Sequence, residues 1–411
     1  MIGVPGALDL IATADLAGIC RGRSVPEGAA TSVGWVPANL GINAFGTLAD
    51  NPFGSVGDLR LRADKSTAVR LPTAGAPITL MLGDLLASDG SDWACCPRTL
   101  LRRALEELTA QTGLTVLAAF EHEFAVVSSD QPEHPFSVQA MLAGEPFGTQ
   151  LVGALARARL DPENWLPEFG NHQWEVTTRP AEGVSAADRA ILLREIVRAA
   201  ARATRRTVTF TPTPPGCGAM NGAHIHFSLW SDGGEKAVES VGGLSADAVS
   251  FAAGVIEHAS AVLAFTAPSV VSYDRLGPGH WSVDSPRLAA QDREALLRIP
   301  GRTPAVPGRE FRPHLEYRAA DSTANPWLAL GALVRAGMDG VLRRLPAPGP
   351  VAASLPHDLD EALSALEKDE LMSSWLPADL LRTYLSVKRA EIDEVAHAPV
   401  EERHARYARA Y

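Results

Sequence analysis

The sequence predicts an α+β fold: a small β-rich N-terminal part, then a larger part built on an antiparallel or mixed sheet, with helices behind one face and polar side chains on the other. Three observations carry that prediction. Short β-like runs punctuated by Gly, Pro and Asn fill the chain to about Pro97. Beyond it, amphipathic helical stretches are interleaved with strand-like ones. Four strand-like stretches also place two polar residues two positions apart: Glu121/Glu123 in AAFEHEFAV, Gln173/Glu175 in NHQWEV, His224/His226 in GAHIHFSL and Glu316/Arg318 in HLEYRA. Residues i and i+2 of a strand share a face. Such strands side by side make a sheet face of carboxylates, imidazoles and guanidinium. Buried charges cost several kcal/mol unless paired or metal-bound, so this face points to an active site.

The elements follow in order. TADLAGIC, GDLRLRAD, TAVRLP and APITLML read as the short strands and turns of the first region, placed at residues 1–96; residues 97–411 form the second. Residues 98–112 carry Leu100, Leu101, Leu105 and Leu108 at helical spacing, and the strand TVLAAFEHEFAVV follows. Residues 186–205 read as a helix, followed by the strand TVTFTPTP. Residues 245–265 and 326–344 read as long apolar-rich helices, the latter with Asn325 as N-cap and Pro326 at its first position. QDREALLRIP is taken as helical. The tail is helical from Asp358, a cap, and its end VEERHARYARAY reads as a solvated helix.

Bulk properties exclude several classes. The 411 residues are 46% hydrophobic and 21% charged, as in a globular chain of two or more domains. No segment has the roughly 18–20 apolar residues of a membrane helix, and the apolar N-terminus lacks the basic start of a signal peptide and carries Asp9 and Asp15. The net charge of -11 argues against nucleic-acid binding, so any anion site must supply its own positive charge. Cys20, Cys95, Cys96 and Cys217 match no zinc spacing and suit a reducing cytoplasm.

The candidate metal ligands are Glu121, Glu123, Glu168, Glu175, Glu316 and His224. An oxygen-rich set with one imidazole suits Mg²⁺ or Mn²⁺ better than Zn²⁺ and suffices, with substrate and water, for about two or three ions. Arg275, Arg293, Arg298 and Arg318 are candidates for capturing carboxylate or phosphate. Divalent ions with several arginines describe phosphoryl-transfer equipment, and no Walker A or kinase-type glycine loop is present.

In order along the chain, DLAGICRGRSVP, GDLRLRAD, CPRTLLRRAL, FEHEF, E-(x)4-Q-x-E at Glu168–Glu175, NGAHIHFSL, SYDRLGPG, DREALLRIP, LEYRAADSTANPWL, LPHDLDEAL and YLSVKRAE resemble glutamine synthetase and its γ-glutamyl-amine ligase relatives. The resemblance implies a β-grasp-like N-terminal domain and a catalytic domain with a curved antiparallel sheet. It implies that Glu123, Glu168 and Glu175 hold the ion nearest the acyl acceptor, and that Glu121, His224 and Glu316 hold the ion on the ATP phosphates. His226, Arg275 and Arg318 match positions that orient glutamate and its reacting carboxylate, Arg293 and Arg298 match arginines on the phosphates, and Glu163 and Ser228 match nucleotide contacts. It further implies a cytoplasmic dodecamer of two stacked hexameric rings. Gln173 is left without a role.

Departures from the family pattern bear on the second substrate. Enzymes that use ammonium have an acid shortly after the R-L-x-P-G run; here Trp281 falls at that position. The D-G-S-S loop that supplies a second acid is replaced by GWVPANLGINAFGTLADNP. An ammonium pocket lacking both acids predicts a larger amine, recognised in part by the face of Trp281. His314 replaces the first Arg of R-x-E-x-R, Thr213 replaces a Lys, and Ala219 stands where an Asn is expected, with Asn221 close by. The expected activity is ATP-dependent joining of glutamate to ethanolamine, a polyamine or an alkylamine. The alternatives are an ammonia-using glutamine synthetase and a non-catalytic sensor of the same fold.

Overall fold

In a computed structural model of the chain, the described residues are 6–231, 234–235, 244–277, 282–301, 314–349 and 354–411. The first sheet contains β1 (Leu8–Ala14), β2 (Cys20–Pro26), β3 (Ser32–Trp35), β4 (Leu59–Ala63), β5 (Val69–Arg70) and β6 (Ile78–Leu86). Their order is β2-β1-β6-β4-β3, with β5 on β6. β1 and β6 run parallel, and the other pairs are antiparallel.

The second sheet has ten strands. They are β7 (Thr115–Val126), β8 (Pro162–Pro167), β9 (Gln173–Thr178), β10 (Ala181–Glu182), β11 (Val208–Thr209), β12 (Ala223–Ser231), β13 (Gly234–Glu235), β14 (Ser285–Ala290), β15 (Ala295–Ile299) and β16 (Leu315–Tyr317). The main path is β14-β15-β16-β12-β7-β9-β8, antiparallel except for the β14–β15 pair. On β7, Val116, Ala118, Phe120, His122 and Phe124 are buried, whereas Ala119, Glu121 and Glu123 are half-buried. This alternation commits one face to the core and turns the acids to the other.

Helices cover the core face. Pro97–Thr112 and Gly183–Ala203 pack on β7, and Pro326–Arg343 packs on both of them. Asn325 caps the last helix as its sequence predicts, accepting from the Trp327 and Leu328 N–H groups at 3.0 and 3.3 Å. Asp358 likewise caps Leu359–Lys368 through the Glu361 N–H at 2.8 Å.

Four expectations change. QDREALLRIP is a turn followed by β15, because pairing with β14 and β16 outweighs its helical spacing. The stretch 245–265 is two helices, Ala246–Glu257 and Ala259–Thr266, bent by 79°. Between them, the His258 imidazole holds Asp369 at 2.6 Å and Asp339 at 3.3 Å. TVTFTPTP contributes only the two residues of β11. The C-terminal helix Val400–Ala410 is not solvated all round: Tyr407 is buried, as is Tyr411 after it, and Tyr411 donates its hydroxyl to the Ala17 carbonyl at 2.6 Å.

No single helix among the described residues is long and apolar enough to cross a membrane. All four cysteines are free thiols.

Candidate active site

Strand register brings the polar pairs into one row. Glu175 on β9 faces Glu123 on β7, and Glu121 on β7 faces His224 on β12. His226 on β12 faces Glu316 on β16, which in turn faces Arg298 on β15. Five adjacent strands therefore present carboxylate, imidazole and guanidinium groups on the face turned away from the core. Ser228 lies one step further along this face of β12.

The row divides into two groups. In the first, ligand atoms of Glu121, His226 and Glu316 lie within 4.8 Å of one another. His224 Nδ1 is 2.8 Å from Glu121 and 3.6 Å from Glu316, and His226 Nε2 is 3.4 Å from Glu121. His226 Nδ1 meets His314 Nε2 at 2.9 Å. Glu316 accepts from Arg298 at 2.6 Å and also from Arg318. Burial works against the Glu121 carboxylate, but His224 and His226 hold its pKa well below the usual range. Burial likewise opposes the Glu316 carboxylate, yet His224, His226 and Arg318 lower its pKa to about 2. Burial and Arg318 push His224 down to about 4, leaving a neutral imidazole able to act as a ligand.

The second group is Glu123, Glu168 and Glu175, again within 4.8 Å. None of the three forms an ion pair among the described residues. Burial, with Glu168 and Glu121 nearby, pushes Glu123 up to about 7 although it accepts the Gly222 N–H at 2.6 Å. Burial and the charges of Glu121, Glu123 and Glu168 push Glu175 up to about 10. A Cβ at Gly222 would stand 2.8 Å from His224 Nε2, so a larger residue there would displace that imidazole.

Both groups fit divalent ions. Three converging carboxylates whose protonation is forced by mutual repulsion are a hard-cation donor set. In the first group, His226 Nε2 is buried without a hydrogen bond, and the neighbouring carboxylates stay ionised.

The arginines are placed unequally. Arg298 and Arg318 reach the row through Glu316. Arg293 sits exposed in the turn before β15; its carbonyl accepts from Arg318 Nε at 2.7 Å, and burial raises the Glu168 carboxyl pKa, an effect that the Arg293 charge opposes in small part. Arg275 is buried, its guanidinium near Gly222 and His224, and donates to the Ala320 carbonyl at 3.0 Å and to that of Ala319. Glu163 is not brought to the row. It is exposed on β8, five residues before Glu168 and thus roughly 16 Å along the strand, with Arg179 at 3.6 Å. Trp281 lies outside the described residues.

Two residues gain roles that local sequence did not reveal. Gln173 is buried and ties the turn carrying Glu168 to the segment before β12. It accepts from the Gly170 N–H and donates to Met220 O and Asn221 Oδ1, each at 2.9 Å. Asn221 donates to Thr211 O at 2.9 Å, so its amide is engaged in holding the segment. Contacts over 48 residues leave no local sequence signal.

Residues 94–407 match the glutamine synthetase catalytic domain, and residues 7–93 match the glutamine synthetase N-terminal domain. The chain is 33% identical to the gamma-glutamylpolyamine synthetase GlnA3 of Streptomyces coelicolor, over 96% of this chain and 91% of that protein. It is 31% identical to the glutamine synthetase of Pyrococcus horikoshii, over 82% of this chain and 79% of that one. A crystal structure described as a novel glutamine synthase homolog superposes with a TM-score of 0.92 at 40% identity, covering 100% of both chains. Carrying both domains of the family over nearly its whole length, this chain belongs to the glutamine synthetase family.

Proposed function

We propose that this glutamine-synthetase-type, ATP-dependent ligase joins the γ-carboxylate of glutamate to an organic amine. The carrying observation is an acceptor side without the two acids of an ammonium pocket. Trp281 takes the place of one in the sequence. In the stretch that replaces the other, residues 34–52, the single acid Asp50 is exposed and lies 3.5 Å from Arg382. The likeness to GlnA3, whose name specifies polyamines, supports the same reading.

The chemistry has two steps. A γ-carboxylate oxygen attacks the γ-phosphorus of ATP; that O–P bond forms as the bond to ADP breaks. The amine nitrogen then attacks the acyl carbon, the C–N bond forms, phosphate leaves, and the nitrogen loses a proton. Glu123, Glu168 and Glu175 would hold one Mg²⁺ or Mn²⁺, and Glu121, Glu316 and His224 or His226 another. When bound, the ions neutralise phosphate charge. Arg293, Arg298 and Arg318 add preorganised positive charge where the phosphoryl group transfers. Arg275 fixes the main chain that carries Arg318, and Ser228 and Glu163 remain proposed nucleotide contacts. A cytoplasmic homo-oligomer of two stacked hexamers is part of this reading; sedimentation tests its size.

ADP release with glutamate and a panel of ammonium, ethanolamine, alkylamines and polyamines tests the function. An organic amine should give the highest kcat/KM. Ammonium ranking first would establish the ammonia-using alternative, and metal-dependent ADP formation absent with every amine would favour a sensor. Trp281→Ala should lower kcat/KM for the preferred amine more than for ammonium.

A further inference from the structure

On the far side of the turn that presents Glu168 lies a second cationic centre. A cleft of about 590 Å³ is bounded by the end of helix Gly183–Ala203, the turn Asn171–His172, residues 214–217 and the C-terminal helix. Arg198, Arg202, Arg206, Arg409 and His172 line it, together with the main-chain oxygen of Tyr411, which Arg198 engages, and among the described residues no Asp or Glu side chain does. In a chain with 48 acidic and 37 basic side chains, such a concentration of one sign has to be explained.

Arg198 is already compensated. It pairs with Glu195 at 2.6 Å, donates to the Tyr411 carbonyl at 2.8 Å and lies over the Phe210 ring at 5.1 Å. Arg206 donates to the carbonyls of Ala143 and Glu145 at 3.0 Å and meets no carboxylate among the described residues. Arg202 and Arg409 are exposed and form no ion pair among the described residues. Guanidinium forks grouped around a concave space of this size match the geometry and charge of bound oxyanions.

We propose that this cleft binds a small polyvalent oxyanion, a phosphate or a polycarboxylate, gripped chiefly by Arg202 and Arg409 and separate from the catalytic row. Its wall is the turn that carries Glu168 on its other side. Asn171 donates its N–H to Cys217 O at 2.6 Å and its side-chain amide to Gly216 O at 3.2 Å, so an occupant touches the turn that places a candidate metal ligand.

The test is thermal unfolding and calorimetric titration of the full chain with pyrophosphate and with citrate, against NaCl at matched ionic strength. Either anion should bind saturably. The Arg202→Gln/Arg409→Gln double variant should weaken binding about tenfold or more, as expected for lost charge-assisted contacts. Arg293→Gln, on the catalytic face, should leave intact the binding that the double variant weakens, whatever anion binding it removes from the phosphate side of the catalytic row. A response reproduced by NaCl, retained by the double variant, or lost in Arg293→Gln would overturn the proposal. Because both substituted residues are exposed and form no ion pair among the described residues, circular dichroism of the double variant should match the parent. The preferred probe identifies phosphate or carboxylate as the ligand chemistry.

Discussion

Glu121 and His224 stand directly opposite each other across the β7–β12 ladder, with Glu121 Oε1 and His224 Nδ1 2.8 Å apart. Two residues along β7, Glu123 belongs to the other ligand group. One strand thus supplies an acid to each group, with the two Cα atoms about 7 Å apart by strand geometry. A one-residue slip of β7 would turn both acids into the core and expose Phe120 and His122. The buried alternation on β7 therefore fixes the spacing of the two groups as well as the fold.

Glu316 tests the first group, and its surroundings decide which substitution is informative. It is 1% exposed and holds the Arg298 and Arg318 guanidiniums. Glu316→Ala should abolish turnover, and the buried pairs predict that it also costs about 3–5 kcal/mol, because it strands two charges. Glu316→Gln keeps the volume and should reduce turnover at least about 100-fold with a smaller stability loss. Activity assays paired with urea unfolding check this; near-normal turnover in Glu316→Gln would contradict the assignment.

Two arginines, Arg293 exposed and Arg318 buried, should separate chemistry from stability. Arg293 is exposed and makes no ion pair among the described residues, so Arg293→Ala should lower kcat about 10²–10³-fold while leaving the melting temperature nearly unchanged. Arg318 is 3% exposed and paired to Glu316, so Arg318→Ala should lose both. Equal loss of stability in the two variants would remove the basis for placing Arg293 on the phosphates.

The second group predicts a pH dependence in the metal-free protein. Glu123 and Glu175 are raised from 4.5 to about 7 and about 10. A raised folded pKa means that the native state binds more protons than the unfolded one, so this stability is complete below about 4.5 and is lost as pH rises through about 7 and then about 10. A bound divalent ion requires the ionised forms, so its stabilisation grows over the same window. The difference in melting temperature between Mn²⁺-loaded and EDTA-treated protein should widen from pH 5 to pH 9. A constant difference would show that these carboxylates are not the ligands.

Much of this site is legible in sequence because strand alternation is local. Glu121/Glu123, His224/His226 and Glu316/Arg318 each share a face for the reason that spacing alone provides. Which partner each acid meets depends on register between strands about a hundred residues apart in the chain, as with Glu121 and His224, whose separation is 103. The same limit hides Gln173 and Asn221. It also explains β15: Arg298 reads as helical in isolation, and its pairing with Glu316 on β16 makes it a strand residue. At the break, His258 bonds Asp339, on helix Pro326–Arg343, and Asp369, just after helix Leu359–Lys368, partners that its own local sequence does not contain.

A final prediction concerns the joint between the small β part and the catalytic sheet. Arg98, in the first turn of helix Pro97–Thr112, is 3% exposed. It donates to Asp64 and Asp188 at 2.7 and 2.8 Å and to Asp84 at 3.1 Å. Asp84 is on β6 and Asp64 follows β4, whereas Asp188 lies on Gly183–Ala203 and also accepts from Trp327 Nε1 at 2.8 Å. One guanidinium thus ties strands of the first sheet to two helices backing the second. Removing it leaves, among the described residues, buried Asp188 with only the Trp327 N–H and buried Asp84 with only Arg102 at 2.9 Å, so Arg98→Ala should cost about 3–5 kcal/mol. Arg98→Lys restores charge without the planar fork and should recover only part of that loss. Urea unfolding of the three proteins measures both effects. A loss under about 1 kcal/mol in Arg98→Ala would mean that solvent satisfies these acids and that the joint is held by apolar packing instead.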